Sequence, residues 1–174
     1  MSEAKKALRE KRIERIKSKS GIVVSIFTMF LALNTYINSN LSSTVLNETI
    51  KANDVWAFYQ AKSIKQTILD VAADNVTDHH LQMKYRELAN RYESDKKTGE
   101  GKKELLEKAR IIEADRYLAS HRGSWLSIAG SLMQLSLLLV SAAAVAASYF
   151  LFAGSIVIMS TAVVLMTEGI WLWF

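Results

Sequence analysis

The sequence contains no proline and no cysteine, and only seven of its 174 residues are glycine. Proline and glycine are the residues that most often interrupt helices, so their scarcity predicts an almost all-helical protein. The lack of cysteine excludes disulfides, thiolate metal sites and thiol catalysis. It leaves the compartment open, because periplasmic proteins can also lack cysteine.

Charged and apolar residues are separated along the chain. Residues 1–20 form a basic tail with eight Lys or Arg against three Glu, and the resulting local charge of +5 equals that of the whole chain. The next 17 residues, from 21 to 37, carry no ionisable side chain except Tyr36. A cleaved signal peptide has a similar layout, but this basic region is long and no small-residue cleavage site closes the run. We therefore predict a retained transmembrane helix over residues 21–38, near the lower length limit for a span.

A second apolar block covers residues 124–174, where Glu168 is the one charged side chain among 51 residues. A single helix of this length would measure about 75 Å, more than twice the roughly 30 Å of a bilayer's hydrocarbon. We therefore predict two transmembrane helices, 124–147 and 154–173, with a turn around residues 148–155 that includes Gly154. Glu168 is either an interfacial carboxylate near the chain end or an intramembrane ionisable group.

The basic tail also predicts orientation. Eight Lys or Arg precede the first span, whereas Lys51 is the one basic residue among the fifteen that follow it. This asymmetry favours a cytoplasmic N-terminus and places residues 39–122 on the opposite side of the inner membrane. Arg116 and Arg122, just before the second span, favour the reverse orientation. The tail is further expected to attract anionic lipid through its basic residues, which are Lys5, Lys6, Arg9, Lys11, Arg12, Arg15, Lys17 and Lys19.

The region between the apolar blocks, residues 39–122, is predicted to be a helical, coiled-coil-like extramembrane domain. It is nearly neutral, with 14 basic and 13 acidic residues, and has no basic face that would suggest nucleic acid. The glycines of "DKKTGEGKK" predict a loop. On either side of that loop, apolar periodicity predicts an antiparallel hairpin of helices at 78–95 and 103–121, preceded by a long helix over about 41–75.

The long helix carries two apolar stripes on a helical wheel of about 100° per residue. Trp56 and Tyr59 lie about 60° apart on one of them, the aromatic stripe, and Phe58 lies on neither. The other, which we call the aliphatic stripe, is expected to form the core against the hairpin. It spans about 80° and consists of Leu46, Ile50, Ala57, Ala61, Ile64, Ile68 and Val71.

The aromatic stripe has three possible roles. Trp56 and Tyr59 either complete the same helical core, anchor the domain at the membrane surface, or form a subunit interface, where Trp and Tyr are favoured because they bury large rigid areas. We favour self-association, since a small domain encloses a long helix poorly. The predicted interface consists of Trp56, Ala57, Phe58, Tyr59, Ala61 and Ile64.

The stretch "NDVWAFYQAKSIKQ", residues 53–66, resembles the signature of an uncharacterised family of bacterial and phage membrane proteins, a domain of unknown function. The order of parts is similar too, with one span, a charged helical middle and a terminal apolar hairpin. The resemblance implies this architecture and supplies no activity. The matching residues are Asn53, Asp54, Trp56, Ala57, Tyr59, Gln60, Ala61, Lys62, Ser63, Ile64, Lys65 and Gln66.

Candidates for chemistry are few. Asp74, Asp78, His79 and His80 are close in sequence and His121 is a further histidine, but adjacent histidines diverge by about 100° on a helix. We interpret the acidic residues as a solvated helix terminus with an Asp N-cap, and predict no metal, no cofactor and no enzyme activity. No phosphate-binding loop or nucleophile motif is present.

We therefore predict a multi-pass membrane protein of structural or scaffolding type that self-associates through its extramembrane helices. The alternative is a small channel, a transporter accessory or a phage-type membrane effector, in which polar spans and Glu168 line a pathway.

Overall fold

The computed structural model describes residues 3–171 and, among these, the side chains of residues 10, 11 and 13–171. In that part of the chain it contains four α-helices and no strand, which confirms the all-α prediction. The helices are α1 (Glu3–Asn75), α2 (His79–Glu93), α3 (Lys102–Ala146) and α4 (Tyr149–Trp171). The predicted basic side chains of Lys5, Lys6, Arg9 and Arg12, and the predicted end of the last span at 173, lie outside the described part.

Two of the helices each combine two elements that the sequence patterns predict separately. Helix α1 contains both the predicted first span and the long helix that follows it, and α3 contains both the second hairpin helix and the second span. No proline interrupts either helix, and single glycines such as Gly21 and Gly123 are tolerated within them. Helices α1, α3 and α4 are each long and apolar enough to cross a membrane.

The chain forms two compact units. The first, the apolar unit, comprises Met1–Ser43 and Ala119–Phe174, and the second, the charged unit, comprises Thr44–Leu118. The apolar unit contains the three candidate membrane-spanning segments. The charged unit contains the rest of α1, all of α2 and the first part of α3.

Helices approach closely in the apolar unit because small residues lie at their contacts. A Cβ atom at Gly169 of α4 would come within 2.9 Å of Leu126 Cγ on α3, and one at Gly130 within 2.8 Å of Asn34 Nδ2 on α1. The buried Asn34 amide donates to the Leu126 carbonyl oxygen at 3.0 Å. Small residues and interhelical hydrogen bonds are typical of helix packing in membranes. The buried core consists of Phe27, Leu126, Ala129, Met133, Val140, Met159, Ala162 and Met166.

The turn between α3 and α4 lies earlier than predicted. Ala147 adopts a left-handed conformation (φ 49°), and the Ser148 N–H donates to the Ala143 carbonyl at 3.2 Å, which ends α3 in a Schellman-type cap. Helix α4 then begins at Tyr149 rather than at 154, and Gly154 lies inside it. The prediction relied on Gly154 as the turn residue, whereas the reversal is made by an alanine.

The charged unit has a thin core in which four of the six buried apolar residues are alanines. Its helices are connected at one end by the loop between α2 and α3, where Gly99 has a φ of 69° and a Cβ at Gly101 would collide with the backbone nitrogen of Asp95. The Glu104 carboxylate accepts from Ser94 Oγ at 2.6 Å and from the Asp95 N–H at 3.2 Å, which closes the loop. The buried apolar residues are Ala52, Val55, Ala73, Ala89, Leu105 and Ala109.

Candidate functional site

Residues 53–66 lie within the part of α1 that belongs to the charged unit, and the helix divides them between two faces. Trp56, Tyr59, Lys62 and Gln66 recur every three or four residues and are partly buried. These four residues form the inward face, which is directed at α2, α3 and the loop that joins them. Other members of the segment, among them Ala57 and Ile64, are exposed.

Trp56 is held by α3. Its indole Nε1–H donates to Glu113 Oε1 at 2.9 Å, and its ring packs edge-on against Tyr59 with 5.5 Å between centroids. Both rings also pack against a buried cluster of Val55, Leu105 and Ala109. Tryptophan suits this place because it fills space beside the alanines and still satisfies its one polar atom.

Lys102, at the start of α3, joins three elements of the charged unit. Its ammonium donates to Gln66 Oε1 of α1 at 3.0 Å and to Glu93 Oε2 of α2 at 3.3 Å, and it lies 5.6 Å from the centre of the Tyr59 ring. The hydrogen bond from Lys102 is the largest cause that holds the pKa of Glu93 below its ordinary value. Only 17% of the Lys102 side chain is exposed, so this contact is better shielded than a surface ion pair.

A second lysine makes a similar, weaker connection. The Lys62 ammonium lies 5.4 Å from the centre of the Tyr92 ring on α2 and 3.4 Å from Glu100 Oε2 in the loop. Two cation–π contacts therefore connect α1 to the hairpin, and each has a lysine on one element and a tyrosine on the other. The sequence patterns did not predict the lysines and Gln66 as packing residues, although repeated steps of three or four residues from Trp56 lead through Tyr59 to Lys62 and Gln66.

The aliphatic stripe lies on the opposite side of α1 and is exposed. Its large members, Leu46, Ile50, Ile64, Ile68 and Val71, are between 51% and 62% exposed, and Ala57 and Ala61 are exposed as well. The expectation that this stripe forms the core was therefore wrong. The polar and aromatic partners on α2 and α3 bind the other face, so the aromatic stripe is packed within the chain and the aliphatic stripe is not.

Phe58 belongs to neither face. Its side chain is exposed and lines an open hollow of about 450 Å³ in the charged unit. Lys51, Lys108 and Glu100 line the same hollow. Phe58 thus lies beside charged groups, as expected from its position outside both stripes of the helical wheel. Its predicted role in an interface stays a prediction, as do those of the other five residues.

Two acidic residues near the α1–α2 connection have partners on α2. Asp78 is the N-cap of α2, and its carboxylate accepts from the backbone N–H groups of His80 at 2.8 Å and Leu81 at 3.4 Å. Asp74 forms an ion pair with Arg86 at 3.6 Å. The interpretation of Asp78 as an N-cap is therefore confirmed.

Glu168 lies in the last part of α4 and is partly buried. Its neighbour Gly169 is the position where α4 approaches α3, since a Cβ there would come within 3.2 Å of the Arg122 carbonyl oxygen. Arg122 has a buried Nε with no hydrogen-bond partner among the described residues. Among the predicted basic residues of the tail, Lys11, Arg15, Lys17 and Lys19 are described, and all are exposed on α1.

These features define an all-helical protein with three candidate membrane spans and a separate charged three-helix unit. The sequence model of a protein family described as a domain of unknown function (DUF4337) matches residues 16–172. The chain belongs to this family, which confirms the resemblance seen in residues 53–66. No curated protein and no solved structure matches the chain.

Proposed function

We propose that this protein is a multi-pass inner-membrane protein of structural or scaffolding type whose copies associate through the aliphatic stripe. The exposure of five large aliphatic side chains on one face of α1, outside the apolar unit, carries the proposal. Covering a half-exposed aliphatic side chain is worth about 1 kcal/mol, so a row of five favours a partner. The face points away from α2 and α3, which leaves it free for one.

The spacing of the stripe favours a partner helix of the same kind. Ile50, Ala57, Ile64 and Val71 are seven residues apart, and Ala61 and Ile68 lie between them in alternating steps of four and three. This heptad pattern is the one by which helices pair along a continuous seam, and a second copy of the chain supplies the same pattern. Small side chains at the centre allow the two backbones to approach.

A parallel arrangement follows from the continuity of α1. The helix runs without a break from Glu3 to Asn75, so two copies inserted in the same bilayer point the same way. Each seam residue then lies beside its counterpart. Asp54 falls within the seam, four residues after Ile50 and three before Ala57, and its two carboxylates repel each other. This charge sets the register at a cost in affinity.

Within the proposal, the predicted interface residues have different tasks. Trp56 and Tyr59 hold α1 against the hairpin and so present the aliphatic stripe. Ala57, Ala61 and Ile64 make the contact between copies, and Phe58 lies at its margin. The basic tail supports a cytoplasmic N-terminus, which puts the charged unit on the opposite side of the membrane.

The chain has no cysteine, so a single introduced cysteine reports on its own neighbourhood. Oxidation of full-length Ile64→Cys protein in membranes is expected to give a covalent dimer. Asp70→Cys is the matched control, because Asp70 is exposed on α1 about 140° from the centre of the stripe. Equal cross-linking of both variants, or of neither, would contradict the proposal, as would a strictly monomeric native mass in detergent.

A second variant tests the seam by strengthening it. Asp54→Asn removes the like-charge contact and is expected to tighten association about tenfold, the effect of roughly 1.4 kcal/mol. Asp70→Asn makes the same charge change away from the stripe and is expected to leave association unchanged. Dimer fractions from native mass spectrometry over a dilution series measure both, and weaker association of Asp54→Asn would count against parallel pairing.

A further inference from the structure

One end of the apolar unit contains an open hollow that plays no part in the proposed association. It has a volume of about 720 Å³ and lies where the N-terminal part of α1 runs beside the turn between α3 and α4. Helix α1 contributes two basic and two aliphatic residues, and the turn contributes alanines and aromatic residues. The volume is within the range of about 300–1,000 Å³ that is usual for small-molecule sites.

The basic residues give the hollow its charge preference. Arg15 and Lys19 are one helical turn apart, line the hollow and are exposed. Neither forms an ion pair with any acidic side chain that the structure describes. The surrounding tail has a net charge of +5 in the sequence, so the local field attracts an anion.

The other wall is apolar and strongly aromatic. Phe150 is 89% exposed at the start of α4, and Tyr149 beside it is also exposed. Ile16 and Phe152 line the hollow from opposite sides and are partly buried. Exposed aromatic residues at the end of a span are typical of the headgroup region of a membrane, where one side of the ring meets acyl chains and the other meets water.

The position of the hollow along the helix matches a lipid headgroup. Lys19 lies two residues before the apolar run that starts at Gly21, a distance of about 3 Å along the axis, and Arg15 lies about 6 Å further out. The cationic side chains are therefore at the depth where phosphate groups lie. A small soluble anion would make no favourable contact with the aromatic and aliphatic walls beside these cations.

We propose that this hollow is a binding site for an anionic phospholipid. The phosphate group accepts hydrogen bonds from Arg15 and Lys19, and the glycerol backbone and the upper part of an acyl chain lie against Ile16, Phe150 and Phe152. Arginine suits the phosphate because its guanidinium donates two parallel hydrogen bonds. The site goes beyond the general attraction of a basic tail, because it assigns the selectivity to two residues of eight.

The test compares two variants with the same change of charge. The first is Arg15→Gln with Lys19→Gln, and the second is Lys11→Gln with Lys17→Gln, since neither Lys11 nor Lys17 lines the hollow. Native mass spectrometry of the full-length protein measures retention of phosphatidylglycerol against phosphatidylcholine. The first variant is expected to bind phosphatidylglycerol about 30-fold more weakly than the unchanged protein, and the second to bind it within about twofold.

Two results would overturn the assignment. Equal losses in both variants would mean diffuse attraction by the tail, and an absence of preference for phosphatidylglycerol in the unchanged protein would mean that no anion site exists. A third arm adds glycerol 3-phosphate in excess. Failure to displace the lipid supports a phospholipid site, whereas full displacement would identify a site for soluble phosphate esters. Thermal unfolding followed by circular dichroism checks that both variants are folded.

Discussion

Both units of this protein expose large apolar side chains, although they differ sharply in charge. In the apolar unit, large residues such as Met29 and Leu138 are exposed, and small residues such as Gly169 lie among larger ones at the helix contacts, as expected for candidate membrane spans. The charged unit contains most of the chain's charged side chains, yet the aliphatic stripe is exposed there as well. Such exposure is expected of candidate membrane spans, whereas in the charged unit it is the observation on which the proposed association rests.

The units also differ in what connects their helices. Close backbone contacts at Gly130 and Gly169 connect those of the apolar unit, whereas hydrogen bonds and cation–π contacts of long side chains, centred on Trp56 and Lys102, connect those of the charged unit. Substitutions that remove long side chains should therefore damage the charged unit, and substitutions that add bulk should damage the apolar unit.

The largest effect is expected from Trp56→Ala, which removes the bond to Glu113 and leaves a cavity beside Leu105. The free energy of unfolding of the charged unit should fall by about 3 kcal/mol. Phe58→Ala is the matched control, because Phe58 is exposed on the same helix, and should change it by less than about 0.5 kcal/mol. Hydrogen exchange of α2 amides measures both. A similar effect of the two variants would show that the aromatic stripe does not stabilise the charged unit.

Gly169→Leu comes next and tests the apolar unit. Its side chain would meet Leu126 and the Arg122 carbonyl, and the overpacking should cost about 2 kcal/mol. Gly154→Leu is the matched control on the same helix, since a Cβ there meets nothing within 4 Å. The midpoint of thermal unfolding in detergent should fall for Gly169→Leu alone. Equal midpoints would contradict the prediction, because backbone contact at Gly169 would then not limit the packing of α3 against α4.

Acid should weaken the charged unit selectively. Hydrogen bonds from Lys102, from the Thr98 N–H and from Ser94 are the largest causes that lower the pKa values of Glu93, Asp95 and Glu104 respectively. A carboxyl group with a lowered pKa stabilises the fold when the pH is above the ordinary pKa, which is 4.5 for Glu. This contribution is lost as the pH falls through the pKa of the folded state. The protection factors of amides in the α2–α3 loop, which are corrected for the pH dependence of intrinsic exchange, should fall between about pH 5 and pH 3, whereas those of α4 should not change.

The smallest effect is expected at the turn between α3 and α4. Ala147 has a left-handed backbone, which costs an L-residue about 1 kcal/mol or more, and glycine avoids this cost. Ala147→Gly should therefore raise the free energy of unfolding of the apolar unit by somewhat less than about 1 kcal/mol, since glycine also gains freedom when unfolded. Thermal midpoints in detergent measure the change, and a decrease would show that the turn is not strained.

Sequence patterns located the helices well, because apolar periodicity and the scarcity of proline and glycine act locally. They located both stripes of α1 correctly and assigned the core to the wrong one. That choice depends on Glu113 and Lys102, which lie 57 residues after Trp56 and 36 residues after Gln66, and no local pattern joins such pairs. The turn at Ala147 was misplaced for a different reason, since an alanine carries no local turn signal.

Both ends of the charged unit continue into the apolar unit, which lowers the entropy that the charged unit gains on unfolding. Near the two crossing points, α1 and α3 are adjacent, as a Cβ at Gly123 would lie 3.6 Å from Asn38 Oδ1. The apolar unit therefore acts on Thr44–Leu118 as a cross-link does, by restricting its unfolded ensemble. A closed loop of this length is worth about 4 kcal/mol. A core made largely of alanine can therefore be enough to keep this unit folded. A separate three-helix domain of the same sequence would have a smaller free energy of unfolding.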